Sequence, residues 1–204
     1  GGEGIYLSFE DGPGPYPEQL LDVLDSYGVK ATFFVTNRGY GEMMKEIVDR
    51  GHSIGIHTMS HVYERIYASP EAYFADLLGM QDVIYRNTGV KTTLMRFPGG
   101  SSNTVSAHSY VGLMSLLTRA VQDAGFQYCD WNVDSNDWQG YGWTTLYTNV
   151  LADAQEFSTP VILFHNTGDR DNTVLVIEDI IKALKDKGYK FGSLSQKTEP
   201  IQFQ

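Results

Sequence analysis

The residues with the most obvious chemistry in this chain are two histidines four apart, in His57-Thr58-Met59-Ser60-His61, and two adjacent acids, Glu10-Asp11, ahead of Gly12-Pro13. Imidazole nitrogens and a carboxylate are donors for a divalent cation, and a catalytic zinc site keeps three protein ligands and one open position. If the chain runs from His57 into a helix, positions i and i+4 share a face and both rings can grip one ion. The same spacing also fits a chance pair on a solvated helix, and Asp-Gly-Pro alone is turn chemistry. Of two neighbouring acids, one can hold a metal while the other takes a proton from water. Arg96-Phe97-Pro98-Gly99-Gly100, the segment from Asp130 to Trp138, and His165 after Val161-Ile162-Leu163-Phe164 complete the polar inventory.

Each of these groups stands where a short apolar run ends. The runs Ile5–Phe9, Ala31–Val35, Ser53–Ile56, Leu94–Phe97, Phe126–Trp131, Val161–Phe164 and Tyr189–Gly192 read as buried strands. Helical spacing appears between them. Leu20, Leu21, Leu24 and Tyr27 recur on one face of Glu18–Tyr27, and Met43, Met44, Ile47 and Val48 do so before Gly51. Ser69-Pro70-Glu71 reads as an N-cap followed by proline at the first helical position, opening a helix to about Asn87. Further helices are expected at Ser106–Ala124, Trp143–Phe157 and Thr173–Lys187. Seven strands alternating with helices in one domain, 1–204, predict an α/β fold: a distorted (β/α) barrel of parallel strands, with an open doubly wound sheet as the alternative. In a barrel the strand C-termini meet at one rim, which gathers the polar groups above. The tail Thr198–Gln204 is expected to be a surface extension.

The chain has 204 residues, with 15 Lys+Arg against 25 Asp+Glu and a net charge of −10. That balance disfavours nucleic acid and anionic lipid as partners. No apolar run is long enough for membrane insertion. Gly1–Gly4 lead into the first strand without a basic or apolar leader, so no signal peptide is expected in this stretch. The single cysteine, Cys129, reads as a small core residue.

The motifs together resemble the polysaccharide deacetylases, the NodB-like carbohydrate esterases. Ser8-Phe9-Glu10-Asp11-Gly12-Pro13 is similar to their first motif, usually Thr-Phe-Asp-Asp-Gly-Pro, and His57–His61 to the second, H-[ST]-x-x-H. Arg96-Phe97-Pro98-Gly99 corresponds to the third, Asp134-Ser135-Asn136-Asp137-Trp138 to the fourth, and Val161–His165 to the fifth. The resemblance spans nearly the whole chain and implies a distorted β/α barrel that deacetylates acetylated polysaccharides or oligosaccharides, outside the cell or at its surface.

Residue by residue, the resemblance implies Asp11, His57 and His61 as ligands of a divalent metal, usually Zn2+ with Co2+ as an alternative. It implies Glu10 as the base, Arg96 as its orienting cation, His165 as the acid and Asp137 as the partner of that acid. Gly99 would offer its N–H to the oxyanion, and Leu163 and Trp138 would line the acetyl pocket. The substrates implied are peptidoglycan or chitin-type N-acetylglucosamine, with acetylxylan esters as an alternative. Two positions depart from the pattern. Glu10 replaces the usual aspartate, which keeps a carbohydrate-binding pseudoenzyme open as a second reading. Gly99-Gly100 stand where many members carry an aromatic residue. Trp131, Tyr141, Trp143 and Tyr147 are candidates for stacking on sugars or for packing, while His52 and His108 read as structural or surface residues.

Overall fold

The computed structural model describes residues 4–14, 17–140, 142–165, 171–195, 198 and 200–203. Tyr141 and most of the Gly1–Gly4 opening lie outside the described residues. Strands β1 (Gly4–Gly12), β2 (Thr32–Thr36), β3 (Ser53–Thr58), β4 (Leu94–Met95), β5 (Gln127–Tyr128), β6 (Val133–Asp134) and β7 (Val161–His165) pair in the order β5-β4-β3-β2-β1-β7-β6. A short β8 (Lys190–Gly192) pairs with the start of β1, and every pairing is parallel. The sheet curls into the expected barrel, and helices α1 (Pro17–Ser26), α2 (Gly41–Asp49), α3 (Tyr63–Ile66), α4 (Pro70–Thr88), α5 (Leu113–Asp123), α6 (Trp143–Ala154) and α7 (Asp171–Asp186) connect the strands.

Strand alternation separates two layers. Ile5, Leu7, Phe9, Phe33, Val35, Ile54, Ile56, Ile162 and Phe164 are buried in the main apolar cluster with the helices. Phe9 stacks on Phe33 and Phe164 at ring separations of 5.0 and 5.5 Å. The opposite parity, including Ser8, Glu10, Phe34, His57, Arg96, Leu163 and His165, faces the barrel interior. A smaller apolar cluster of Phe34, Leu94, Cys129, Val161 and Leu194 floors it. Gly55 is needed there, because a Cβ would come 2.6 Å from the Phe34 ring and 3.2 Å from the Leu94 carbonyl.

The Ser69 hydroxyl caps α4 by accepting from the Ala72 N–H, with Pro70 next, as the sequence predicts. Four expectations are corrected. The run Phe126–Trp131 is not one strand: β5 ends at Tyr128 and β6 starts at Val133, at opposite edges of the sheet. The helix expected over Ser106–Ala124 divides into a 3-10 turn, Val105–His108, and α5, because Gly112 takes a left-handed conformation at φ 78° before Leu113. His57 and His61 do not share a helix, since β3 ends at Thr58 and α3 begins at Tyr63. The tail is not a loose extension. The Asp130 N–H donates to the Ile201 carbonyl at 2.7 Å, the Phe203 N–H donates to Asp130 Oδ2 at 2.8 Å, and the Phe203 ring meets Trp131 edge-on at 5.1 Å. The tail therefore covers the seam between β5 and β6.

Candidate active site

The site is assembled at the C-terminal ends of β1, β3 and β7, where a parallel barrel collects its loops. Asp11 follows Glu10 at the end of β1 with φ 71°, and His61 has φ 53° in the turn after β3. Left-handed backbone is uncommon for non-glycine residues but is tolerated by Asp and His, and here it turns both side chains toward one point. Asp11 Oδ1 lies 3.1 Å from His57 Nε2 and 3.3 Å from His61 Nε2. The Asp11 carbonyl is fastened from β2 and the loop beyond it by Thr36 Oγ1 at 3.3 Å and Arg38 Nη1 at 3.1 Å. On the other side, Asp76 of α4 accepts from Thr58 Oγ1 at 2.8 Å and from the Met59 N–H, fixing the turn that carries His61.

The donor set fits a cation. His57 Nδ1 is 2.9 Å from the Arg96 carbonyl, which can only accept, so Nδ1 carries a proton and Nε2 is the nitrogen left to face a cation. Asp11 Oδ1 and His57 Nε2 are buried without a hydrogen-bond partner although they face each other. Converging lone pairs of one carboxylate and two imidazoles are a recognised zinc ligand set. Burial pushes the Asp11 carboxyl upward, but the imidazoles of His57 and His61 more than reverse this and hold it well below the usual carboxylate range. A cleft of about 190 Å³ opens beside this group, lined in part by Asp11, Arg38, Met59 and His61.

Glu10, 6 % exposed, faces the second half of the site. Its Oε1 is 3.3 Å from His165 Nε2, and its Oε2 is 3.8 Å from Arg96 Nη1 and 4.0 Å from His57 Nε2. Desolvation opposes its charge, yet His57, the contact with His165 and Arg96 together leave its carboxyl below the ordinary glutamate value. It is therefore ionised at neutral pH.

Arg96 is fully buried, and desolvation lowers its pKa. A buried guanidinium is tolerated only when its donors are used. Nε donates to the Cys129 carbonyl at 2.8 Å, Nη1 to Ser8 Oγ at 2.9 Å, and Nη2 to the Asp130 carbonyl at 3.1 Å, with the Phe34 ring 4.4 Å from its centre. Arg96 thus acts on Glu10 as a fixed charge rather than as a hydrogen-bonding clamp.

His165 is gripped twice by Asp137. The backbone N–H donates to Oδ2 at 2.7 Å, and Nδ1 meets Oδ1 at 2.7 Å. Burial pulls the imidazole pKa down, but Asp137 and then Glu10 push it up to about 10. The ring is cationic at neutral pH, with Nε2 toward Glu10. Asn136, at φ 55°, provides the turn that aims Asp137 inward.

Leu163 is buried in β7 two residues before His165, and Gly99 has φ 80° in the loop after β4. Trp138 stands on the rim, 61 % exposed, without a hydrogen bond or ring contact to the cluster among the described residues. Trp143 stacks on Tyr147 at 5.3 Å. His52 is buried and accepts from the Ala31 N–H at 3.0 Å, while His108 is exposed. Sequence reasoning missed Ser8, Arg38 and Asp76. Asp76 alone carried a signal, an acid beside the apolar stripe of Tyr73, Leu77 and Met80.

A curled parallel barrel with paired carboxylates and histidines at its rim defines a class of carbohydrate deacetylases. Residues 1–114 match the family described as Polysaccharide deacetylase, and the chain belongs to that family. The catalytic domain of a peptidoglycan N-acetylglucosamine deacetylase from Eubacterium rectale superimposes with a TM-score of 0.95 at 41 % identity, covering 100 % of this chain and 94 % of that one. A peptidoglycan-N-acetylglucosamine deacetylase of Bacillus cereus is 31 % identical over 97 % of this chain and 72 % of its own length. A chitooligosaccharide deacetylase of Sinorhizobium fredii is 29 % identical over 96 % and 92 %.

Proposed function

We propose that residues 1–204 form one catalytic unit that removes acetyl groups from N-acetylated sugars of a polysaccharide. The preferred units are N-acetylglucosamine in a peptidoglycan or chitin-type polymer, outside the cell or at its surface. The observation that carries this reading is the convergence of Asp11 Oδ1, His57 Nε2 and His61 Nε2 beside the Glu10–His165–Asp137 group. The names of the similar deacetylases above support the choice of substrate.

Asp11, His57 and His61 would hold the divalent cation, with Zn2+ favoured by the donors and Co2+ as an alternative. When bound, such an ion polarises a carbonyl and acidifies water. The chain supplies the remaining chemistry. Ionised Glu10 accepts the proton of the attacking water, with Arg96 as a fixed positive charge 3.8 Å from it. The N–H of Gly99 donates to the oxyanion that develops on the acetyl oxygen. Protonated His165, held by Asp137, gives its Nε2 proton to the sugar nitrogen as the C–N bond breaks, leaving acetate and a free amine. Leu163 and Trp138 bound the acetyl methyl.

Acetate release from N-acetylated oligosaccharides tests the reading. A chelator should abolish release, added Zn2+ or Co2+ should restore it, and His57→Ala should lose both bound metal and activity. Chelator-insensitive release, or full metal content in His57→Ala, would refute the assignment.

A further inference from the structure

Tyr63 opens α3, two residues after His61, and none of the roles above uses it. Its ring lies edge-on to the His61 imidazole at 5.3 Å and parallel to Tyr67 at 6.1 Å. The two stacked tyrosines differ in what their hydroxyls do. The Tyr67 O–H donates to the Pro98 carbonyl at 2.6 Å, and Asn103 Nδ2 donates to the Gly100 carbonyl at 2.8 Å, so the loop bearing Gly99 is already fastened. The Tyr63 hydroxyl makes no hydrogen bond among the described residues. It stands against Gly99, where a Cβ would meet it at 3.5 Å and would meet the Asn103 Cβ at 3.2 Å. A phenol oxygen therefore borders the space in which residue 99 has no side chain.

We propose that Tyr63 is a substrate-binding residue whose phenol O–H donates a hydrogen bond to a hydroxyl of the sugar carrying the acetyl group. The proposal rests on the deacetylase reading of the same site. A phenol keeps its proton at neutral pH and can donate. Its oxygen approaches Gly99 from the side-chain direction rather than from the N–H that would meet the acyl oxygen, which is the reason for assigning it to the sugar and not to the reacting carbonyl. Ring packing against His61 and Tyr67 fixes the phenol before substrate arrives, which limits the entropy lost on binding. A contact of this kind holds ground state and transition state alike, so it lowers KM without changing kcat.

The test is Tyr63→Phe in the zinc-loaded full chain, which removes one partly exposed oxygen and keeps the ring. Calorimetric titration with penta-N-acetylchitopentaose, made in the slow Glu10→Gln background so that the ligand survives, should show Kd rising about 5- to 10-fold when Tyr63→Phe is added, the scale of one neutral hydrogen bond. KM should rise equally, with kcat, bound zinc and melting temperature unchanged. Unchanged affinity overturns the proposal, and so does a fall in kcat at constant Kd, which would place the hydroxyl on the reacting carbonyl. Wild-type protein that binds the pentamer through Tyr63 but releases no acetate upholds the contact and removes the hydrolytic reading. Wild-type protein that does neither overturns both.

Discussion

Glu10→Gln isolates one charge in the site while keeping shape. If Glu10 takes the proton from water, turnover on N-acetylated oligosaccharides should fall about 10²- to 10⁴-fold, the usual scale for a general base. Bound zinc should persist, because Asp11, His57 and His61 remain. The distances give two further readouts. Glu10 Oε2 lies 3.8 Å from the buried Arg96, an attraction of about 4 kcal/mol at an effective dielectric of ~20. Arg96 keeps its three hydrogen bonds, and the repulsion between Glu10 and Asp11 is relieved, so the net loss should be nearer ~2 kcal/mol. In a chain of this size that lowers the melting temperature by roughly 4–8 °C. Glu10 is also one of the two carboxylates that raise His165, so the imidazole pKa of about 10 should fall, with Asp137 retaining part of the effect. Acetate release, metal analysis and calorimetry of the chelated chain read these effects separately. A glutamine variant with wild-type turnover would refute the assignment of the base, and one that loses zinc would make Glu10 a ligand. Glu10→Asp withdraws the carboxylate from the 3.3 Å contact with His165 by about one bond length, and should slow turnover by ~10- to 100-fold.

Two further outcomes follow from the geometry. In the folded chain the His165 pKa is pushed up to about 10 from 6.5, so its stabilising contribution is complete below about pH 6.5 and disappears as pH rises through 10; Asp11 and Glu10 are depressed, so their contribution is complete above their ordinary values and is lost progressively as pH falls below them. The chelated chain should thus be most stable near pH 5–6.5 in thermal melts, with an alkaline decline that His165→Asn flattens; a flat wild-type profile from 6.5 to 10 would contradict this. A chain ending at Ser195 loses the Ile201 and Phe203 bonds to Asp130 and the ring against Trp131. Denaturant titration should show a loss of about 2–4 kcal/mol, and wild-type stability would show that the tail does not hold the seam.

The barrel was legible because buried parallel strands announce themselves as short apolar runs and each polar cluster stood at the end of one. The approach of β1 to β3 follows from the ladder β1-β2-β3, but strict alternation would turn Asp11 away from His57; the left-handed backbone at Asp11 reverses that, and spacing does not encode it. The run Phe126–Trp131 reads as one strand although β5 stops at Tyr128, and β6, only Val133–Asp134, is too short to announce itself as an apolar run. The spacing of His57 and His61 suggested a helix, whereas the geometry comes from a strand end and one left-handed residue, which spacing does not encode. Ser8 is legible as a motif member but not as a partner of Arg96, and Tyr63, followed by Glu64 and Arg65, has no periodic signature; only Arg96 above the one and Gly99 beside the other give them meaning.

The seam has a mechanical consequence. β5 and β6 are joined directly through Cys129–Asn132, so however far the wall slackens, its two edges cannot part by more than roughly 17 Å. The barrel is a hoop closed by a short strap rather than by a ladder, and its girth is adjustable while its circuit is not. Asp11 and His57 sit on strands joined through β2, away from the strap, and ride through such breathing together. Arg96, after β4, and Asp137, after β6, flank the strap. Any tightening or loosening of the hoop is thus felt first by the groups that tune Glu10 and His165, and last by Asp11 and His57.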